Sequence, residues 1–131
     1  MGDISEHFGS HEFYCSCFRC LGHDRGRPSV KLLAVLEGAR ALFGRPIQIN
    51  SGYRCPQHNV EVGGVSPSEH SCEDEKTDAA DIICPGDGDR FELLRILMTL
   101  KVQRIGIGKN FIHVGVSPTL PAPAIWTYYG K

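Results

Sequence analysis

Residues 79–84 read A-A-D-I-I-C, a short apolar run interrupted by a single carboxylate, Asp81. A run of this length and composition is typical of a buried strand. A buried carboxylate costs free energy unless it is paired or bound to a cation. Asp81 therefore either forms a salt bridge or caps a neighbouring loop, or it holds a metal ion, and its immediate neighbours fit both roles.

A second apolar strand raises the same question for a histidine. Residues 111–116 read F-I-H-V-G-V and place His113 among apolar neighbours. With residues 103–108 and the turn Lys109–Asn110 they predict a β-hairpin. A lone histidine in such a strand is more often a core residue with its hydrogen bonds satisfied than a metal ligand.

The combination of these two residues with His70 points to a metal. If the strands of Asp81 and His113 lie side by side, His70, in the polar loop before Asp81, completes a set of two imidazoles and one carboxylate. Three protein ligands with an open fourth position are typical of catalytic zinc. Arg54 is then a candidate for binding an anionic substrate, because its guanidinium matches a carboxylate bidentately. Taken alone, it reads as an ordinary surface arginine.

The rest of the pattern predicts an α+β fold, a small and mainly antiparallel sheet with two main helices. The first helix follows the potential N-cap Ser29 and ends at Gly44, and a short strand follows at residues 46–50. The second helix is predicted over about residues 89–101, with Asp89 and Glu92 spaced as a capping box. Three residues define the apolar face predicted for this helix: Phe91, Leu94 and Met98.

We expect a single domain over residues 1–131, since this length supports one core. Residues 1–27 form an irregular, cysteine-rich arm in this prediction. Residues 117–131 form a proline-rich tail that wraps around the surface without adding a strand.

Composition excludes several classes of protein. The net charge of -1 argues against binding to nucleic acid or to an anionic membrane. No apolar run approaches the roughly 20 residues of a membrane span. The polar, acidic N-terminus has none of the features of a secretory signal, so we expect a cytoplasmic location.

The six cysteines need an explanation in so short a chain. Without a secretory signal, a disulfide framework is not expected. Cys55 and Cys84 are interpreted as buried thiols. The three cysteines of residues 15–20, with His23, could instead supply four soft ligands to a second, structural metal, although the C-x-C spacing is tighter than the usual C-x2-C.

Several segments, taken in order, carry a family resemblance. They are N-S-G-Y-R-C-P-Q-H-N at residues 50–59, V-G-G at 62–64, S-E-H at 68–70, A-A-D-I at 79–82, I-G-I-G at 105–108 and F-I-H-V at 111–114. This series resembles the zinc D-Ala-D-Ala carboxypeptidase family, whose members share a fold with the hedgehog signalling domain and in several cases come from bacteriophages. The similarity covers residues 12–116.

The resemblance implies a Zn²⁺ cofactor and a substrate, the peptide bonds of D-amino acids in the stem peptides of peptidoglycan. The zinc ligands that it implies are His70, Asp81 and His113. The substrate-binding residues that it implies are Arg54 for the terminal carboxylate, with Ser51 and Ser68 supporting by hydrogen bonds.

The chain departs from the family pattern in two places. Residues 71–78 stand between His70 and Asp81, about four more than in the family pattern, and this acidic insertion is expected to form a loop at the rim of the site. Within it, Cys72 ranks below His70 as a ligand. Close relatives carry an acid two residues after the second histidine, where this chain has Gly115, and others carry one three residues before it, where this chain has Asn110. The candidate replacements for this catalytic acid are Glu73, Asp74 and Glu69.

The leading hypothesis is therefore a monomeric zinc peptidase that reaches the cell wall after release, from the cytoplasm or with a phage particle. The alternative is a catalytically impaired module of the same fold that binds peptidoglycan or builds part of a phage. A third interpretation makes the chain a metal-binding or redox protein centred on residues 15–23.

Overall fold

The structure, a computed structural model, describes residues 2–63 and 68–128. Its regular elements are β1 (Arg27–Pro28), α1 (Val30–Phe43), β2 (Ile49–Ser51), α2 (Pro56–Glu61), β3 (Lys76–Thr77), β4 (Ala79–Ile83), α3 (Asp87–Thr99), β5 (Arg104–Ile107), β6 (Phe111–Gly115) and β7 (Ala124–Thr127). The predicted α+β class, with two main helices and a mainly antiparallel sheet, is confirmed. None of the described helices combines the length and the apolar character needed to cross a membrane.

The main sheet has the strand order β2-β4-β6-β5-β7. Its pairings are antiparallel except for β5 with β7, and the short β1 and β3 pair separately in parallel. The predicted hairpin of β5 and β6 is confirmed. Strand β4 pairs with β6 so that Asp81 lies directly opposite His113, the side-by-side arrangement on which the predicted metal site depends.

Helix α1 has the ends that its sequence predicts. The hydroxyl of Ser29 accepts a hydrogen bond from the N–H of Leu32, and Gly44 ends the helix with a φ of 72°. Glycine adopts this left-handed conformation without a steric penalty, so it is a favourable residue at this end.

Helix α3 differs from its prediction in both its start and its buried face. It begins at Asp87 after the N-cap Gly86, so the proposed capping box of Asp89 and Glu92 is wrong. The residues that it buries are Leu93, Ile96 and Leu97, whereas Phe91 and Met98 are 70% and 55% exposed. Apolar residues occupy two adjoining stripes of this helix, and contact with α1 and the sheet, which local periodicity does not report, selects one of them.

The two faces of the sheet have different surroundings. Ala80 and Ile82 of β4, with Ile112 and Val114 of β6, belong to the buried core with α1 and α3. Because successive side chains of a strand point to opposite faces, Asp81 and His113 project from the face away from the helices. The fold therefore places both polar residues on the same side of adjacent strands.

The expectation that the tail adds no strand is wrong. Residues 124–127 form β7, which pairs with β5 as the edge strand of the sheet and sets Trp126 opposite Gly106. A Cβ at Gly106 would lie 2.7 Å from Nε1 of Trp126, so the missing side chain makes room for the indole. The proline-rich composition of the tail did not indicate a strand, because β7 is stabilised by pairing with a strand that is distant in sequence.

Candidate metal centre

Three buried side chains converge on the open face of the sheet: His70, Asp81 and His113. Nε2 of His70 lies 3.2 Å from Nδ1 of His113 and 3.4 Å from Oδ1 of Asp81. Nδ1 of His113 lies 3.1 Å from the same Oδ1. Ligands bound at about 2.0–2.1 Å to a tetrahedral zinc ion are about 3.3–3.4 Å apart, so the triangle has the size of one face of such a site.

One row of paired residues across the sheet builds most of this centre. Successive strand pairs place Ser51 beside Asp81, Asp81 beside His113, His113 beside Gly106 and Gly106 beside Trp126. The indole covers Gly106, and its ring centroid lies 5.3 Å from that of His113. Cross-strand neighbours on one face are close enough to interact, so strand register alone brings the two β-strand ligands together.

His70 reaches the row from a loop that is anchored to a neighbouring loop. Its Nδ1–H donates to the carbonyl oxygen of Gly52 at 2.7 Å, and its own carbonyl accepts from the N–H of Arg54 at 2.9 Å. A Cβ at Gly52 would lie 2.7 Å from Cα of Phe13, so glycine permits the close approach of the arm to this segment. These two bonds fix both His70 and the start of the Arg54 side chain.

The hydrogen bond made by the outer nitrogen of each imidazole fixes the protonation of its inner nitrogen. Nδ1–H of His70 donates to the carbonyl oxygen of Gly52, and Nε2–H of His113 donates to Oε2 of Glu69 at 2.7 Å. Each ring then presents an unprotonated nitrogen toward Asp81, and the carboxylate also presents a lone pair. Three acceptors within 3.4 Å repel one another unless a cation lies between them, and metal-bound histidines typically make such outer bonds. The residues present therefore fit a divalent metal.

Burial and neighbouring groups shift the pKa values of the three side chains in different directions. Burial lowers the pKa of His70. Burial also opposes protonation of His113, but hydrogen bonds and charges from Asp81 and Glu69 outweigh it and raise the pKa of that imidazole. Burial opposes ionisation of Asp81, yet its contacts with the two imidazoles hold its pKa below the usual range.

Glu69 occupies the space that a side chain at position 115 would need. A Cβ at Gly115 would overlap the carboxylate of Glu69. Glu69 is 4% exposed, and its carboxylate also accepts from Nε of Arg104 at 3.0 Å and from the N–H of Ser117 at 3.3 Å. Because its Oε2 binds the outer nitrogen of His113, Glu69 orients a candidate ligand, and its suggested role as catalytic acid stays a prediction.

Arg54 lies at the edge of the triangle, beside a cavity. Its Nη2 is 3.9 Å from Oδ2 of Asp81, and its Nη1 donates to Oδ1 of Asn59 at 3.5 Å. Its buried Nε has no hydrogen-bond partner among the described residues. A cavity of about 370 Å³ opens here, lined by Ser16, Asn50, Ser51, Arg54, His58, Val62, Asp81, Phe111 and Tyr128.

The structure separates the other predicted site residues. Ser51 lines the cavity, and Ser68 accepts a hydrogen bond from the N–H of His70 at 3.2 Å. Glu73 and Asp74 are exposed on a 3₁₀ turn in the inserted segment and do not line the cavity, so their catalytic role stays a prediction. Cys72 bonds to Glu69 and Asp78, outside the triangle.

The proposed ligand role of His23 is wrong, since His23 is exposed while Cys55 joins the three cysteines of the arm.

Two residues that line the cavity were not assigned a role from the sequence. His58 stood in the quoted N-S-G-Y-R-C-P-Q-H-N segment without a role, and Tyr128 was assigned to the tail. Their positions depend on how α2 and β7 pack, which local patterns do not show.

The fold and the convergent histidines and carboxylate define a metallopeptidase-like domain. A family model described as Peptidase M15 matches residues 4–115. The chain therefore belongs to the M15 peptidase family, as the resemblance implied. A search of curated proteins finds no match.

Proposed function

We propose that the protein is a zinc peptidase that cleaves D-amino-acid-containing bonds in the stem peptides of bacterial peptidoglycan. The observation that carries the proposal is the triangle of His70, Asp81 and His113 beside an arginine with a free donor, in a chain of the M15 family. Two imidazoles and a carboxylate are a usual ligand set of catalytic zinc in peptidases.

Arg54 supports the choice of an anionic peptide end as substrate. Its unpartnered Nε–H and the neighbouring Nη2 can donate to the two oxygens of a carboxylate. Arg54 lines the cavity, and its Nη2 lies 3.9 Å from Oδ2 of Asp81. Asn50 and Ser51 add polar groups to the same wall, enough to orient a short peptide whose last residue is held by the guanidinium.

A zinc ion held by His70, Asp81 and His113 would supply Lewis-acid polarisation of a carbonyl and would lower the pKa of bound water to about 7. Among the chain's own residues, Tyr128 has a pKa raised by burial, so its hydroxyl stays protonated at neutral pH and can donate a hydrogen bond to a carbonyl oxygen in the cavity. His58 also lines the cavity, where its ring can form hydrogen bonds with a bound peptide. Glu69 keeps His113 oriented throughout.

The test uses purified, zinc-loaded protein with muropeptides and product detection by mass spectrometry. We expect release of D-alanine or splitting of a cross-bridge, lost in His70→Ala. Three matched peptides refine the test: one ending in D-alanine, one ending in L-alanine and one with an amidated end. If Arg54 binds the terminal carboxylate, amidation abolishes cleavage. No product from any member of a broad muropeptide panel would refute the proposal.

A second candidate function is a peptidoglycan-binding or phage structural module of the same fold that has lost catalysis. The observation in its favour is that Asp81 is the only carboxylate among the described residues lining the cavity. Isothermal titration of the zinc-loaded protein with stem peptide decides between the two. Binding without turnover, unchanged by Glu73→Gln and Asp74→Asn, supports the module.

A further inference from the structure

A second group of metal-type ligands lies outside the peptidase centre. Cys15, Cys17 and Cys20 of the arm and Cys55, the residue before α2, bring their four sulfurs within 4.8 Å of one another. Each of these residues is 7% exposed or less. Sγ of Cys17 lies 3.6 Å from that of Cys15 and 3.7 Å from that of Cys55.

These distances distinguish a metal site from the other arrangements of cysteine. A disulfide brings two sulfurs to about 2.05 Å, and the structure has all four cysteines as free thiols. Thiolates bound at about 2.3 Å to a tetrahedral zinc ion are about 3.8 Å apart. We propose that Cys15, Cys17, Cys20 and Cys55 hold a structural zinc ion, separate from the centre at His70.

The surroundings of the sulfurs fit this assignment. Four thiolates around a divalent cation carry a net negative charge, which hydrogen-bond donors offset. The N–H of Cys55 donates to Sγ of Cys15 at 3.3 Å, and the N–H of His58 donates to Sγ of Cys55 at 3.5 Å. Nη1 of Arg25 donates to Sγ of Cys20 at 3.2 Å. Backbone and cationic donors thus reach three of the four sulfurs.

The site also explains how an arm with little regular structure is held in place. Before β1, the described part of the arm contains a single 3₁₀ turn at Ser10–Phe13 as its regular element. A four-cysteine zinc site joins this arm to Cys55, which directly follows Arg54. Arg25 extends the connection, because its Nε donates to Oε2 of Glu75 in the acidic insertion at 2.7 Å. The second zinc therefore fixes the segment that carries the substrate-binding arginine.

Metal content of the full chain tests the assignment. We expect two zinc ions per wild-type chain by mass spectrometry of the metal, and one in His70→Ala, which keeps all four cysteines. In cobalt-loaded His70→Ala, the remaining metal should give strong thiolate-to-cobalt charge-transfer absorption. Cys17→Ser and Cys55→Ser should lose this second metal, whereas Cys84→Ser, a buried cysteine outside the cluster, should keep both ions.

Several results would overturn the proposal: a metal-free His70→Ala protein, a remaining cobalt without thiolate absorption, iron in place of zinc, or a disulfide in the non-reduced protein. If the cysteine variants do not fold, the cobalt spectrum of His70→Ala decides alone, with Asp81→Asn as a second background. The peptidase proposal is tested separately, because failure to cleave muropeptides changes none of these metal readouts.

Discussion

Glu69 is the residue through which the metal centre can be tested most sharply. Its carboxylate accepts three hydrogen bonds, from Nε2 of His113 and Nε of Arg104 at Oε2 and from the N–H of Ser117 at Oε1. Burial opposes its ionisation, but the bonds and charges of His113 and Arg104 lower its pKa. The substitution Glu69→Gln keeps the size of the side chain and removes one acceptor oxygen and the charge.

The expected magnitude follows from these contacts. A hydrogen bond to a charged group contributes about 1.5–3 kcal/mol and a neutral one about 0.5–1.5 kcal/mol. The difference of about 1–1.5 kcal/mol at His113 corresponds to roughly 5- to 13-fold weaker zinc binding. The amide group also turns an N–H toward one of the three donors, so one buried donor loses its partner at a cost of about 1–3 kcal/mol in the free energy of unfolding.

Two measurements check this expectation. Competition with a chromophoric chelator at neutral pH gives the zinc affinity, and denaturant unfolding of the zinc-free protein gives the stability. Glu73→Gln is the matched control, because it makes the same chemical change at an exposed carboxylate of the inserted segment. Zinc affinity of Glu69→Gln within twofold of wild type, or an equal loss in Glu73→Gln, would refute the orienting role of Glu69.

Substitutions at position 115 provide a second test of the contact between Glu69 and Gly115. Gly115→Asp introduces a side chain that overlaps the carboxylate of Glu69, with like charge, and should destabilise the protein by about 1–3 kcal/mol. In a Glu69→Ala background the space is vacated, and the new aspartate lies on the same face of β6 as His113. The double variant should therefore be more stable and bind zinc more tightly than additivity predicts. Strictly additive effects would contradict the interpretation that the two positions share one space.

Three further predictions concern the substrate, the sheet edge and the arm. Arg54→Lys should lower kcat/KM for peptides with a free carboxylate by roughly 10- to 100-fold, because the paired donors are lost. An equal loss of affinity for an amidated analogue, measured by binding, would contradict this. Gly106→Ala should cost about 1–3 kcal/mol in denaturant unfolding, since its Cβ would lie 2.7 Å from Nε1 of Trp126, and an unchanged midpoint would argue against this packing. Burial opposes ionisation of Glu37, but hydrogen bonds from Ser5 and His7 of the arm outweigh it and lower the pKa of this carboxyl. The ionised Glu37 therefore stabilises the folded protein above the unfolded pKa of roughly 4.3, and this stabilisation is lost as pH falls through the lower folded value. Glu37→Gln should therefore be less stable than wild type at neutral pH, with a difference that shrinks at acidic pH; a pH-independent difference would contradict the linkage.

The sequence by itself determined the elements whose signals are local. The apolar periodicity of α1, with Ser29 and Gly44 at its ends, gave that helix correctly. The apolar runs around Asp81 and His113 gave two strands, and the cost of burying polar groups there gave the reason to place them together. Each of these inferences depends on neighbours within a few residues, where the backbone period links sequence to burial.

Tertiary structure alone decided several other contacts between residues that are distant in sequence. Cys55 completes a cluster that begins 40 residues earlier, Glu69 takes the space at Gly115, and β7 lays Trp126 over Gly106. The same reason explains the buried face of α3, where two apolar stripes were equally acceptable until packing chose one. Periodicity reports that a face is buried, but strand register and loop closure determine the side chains that it meets, because those depend on the whole folded chain.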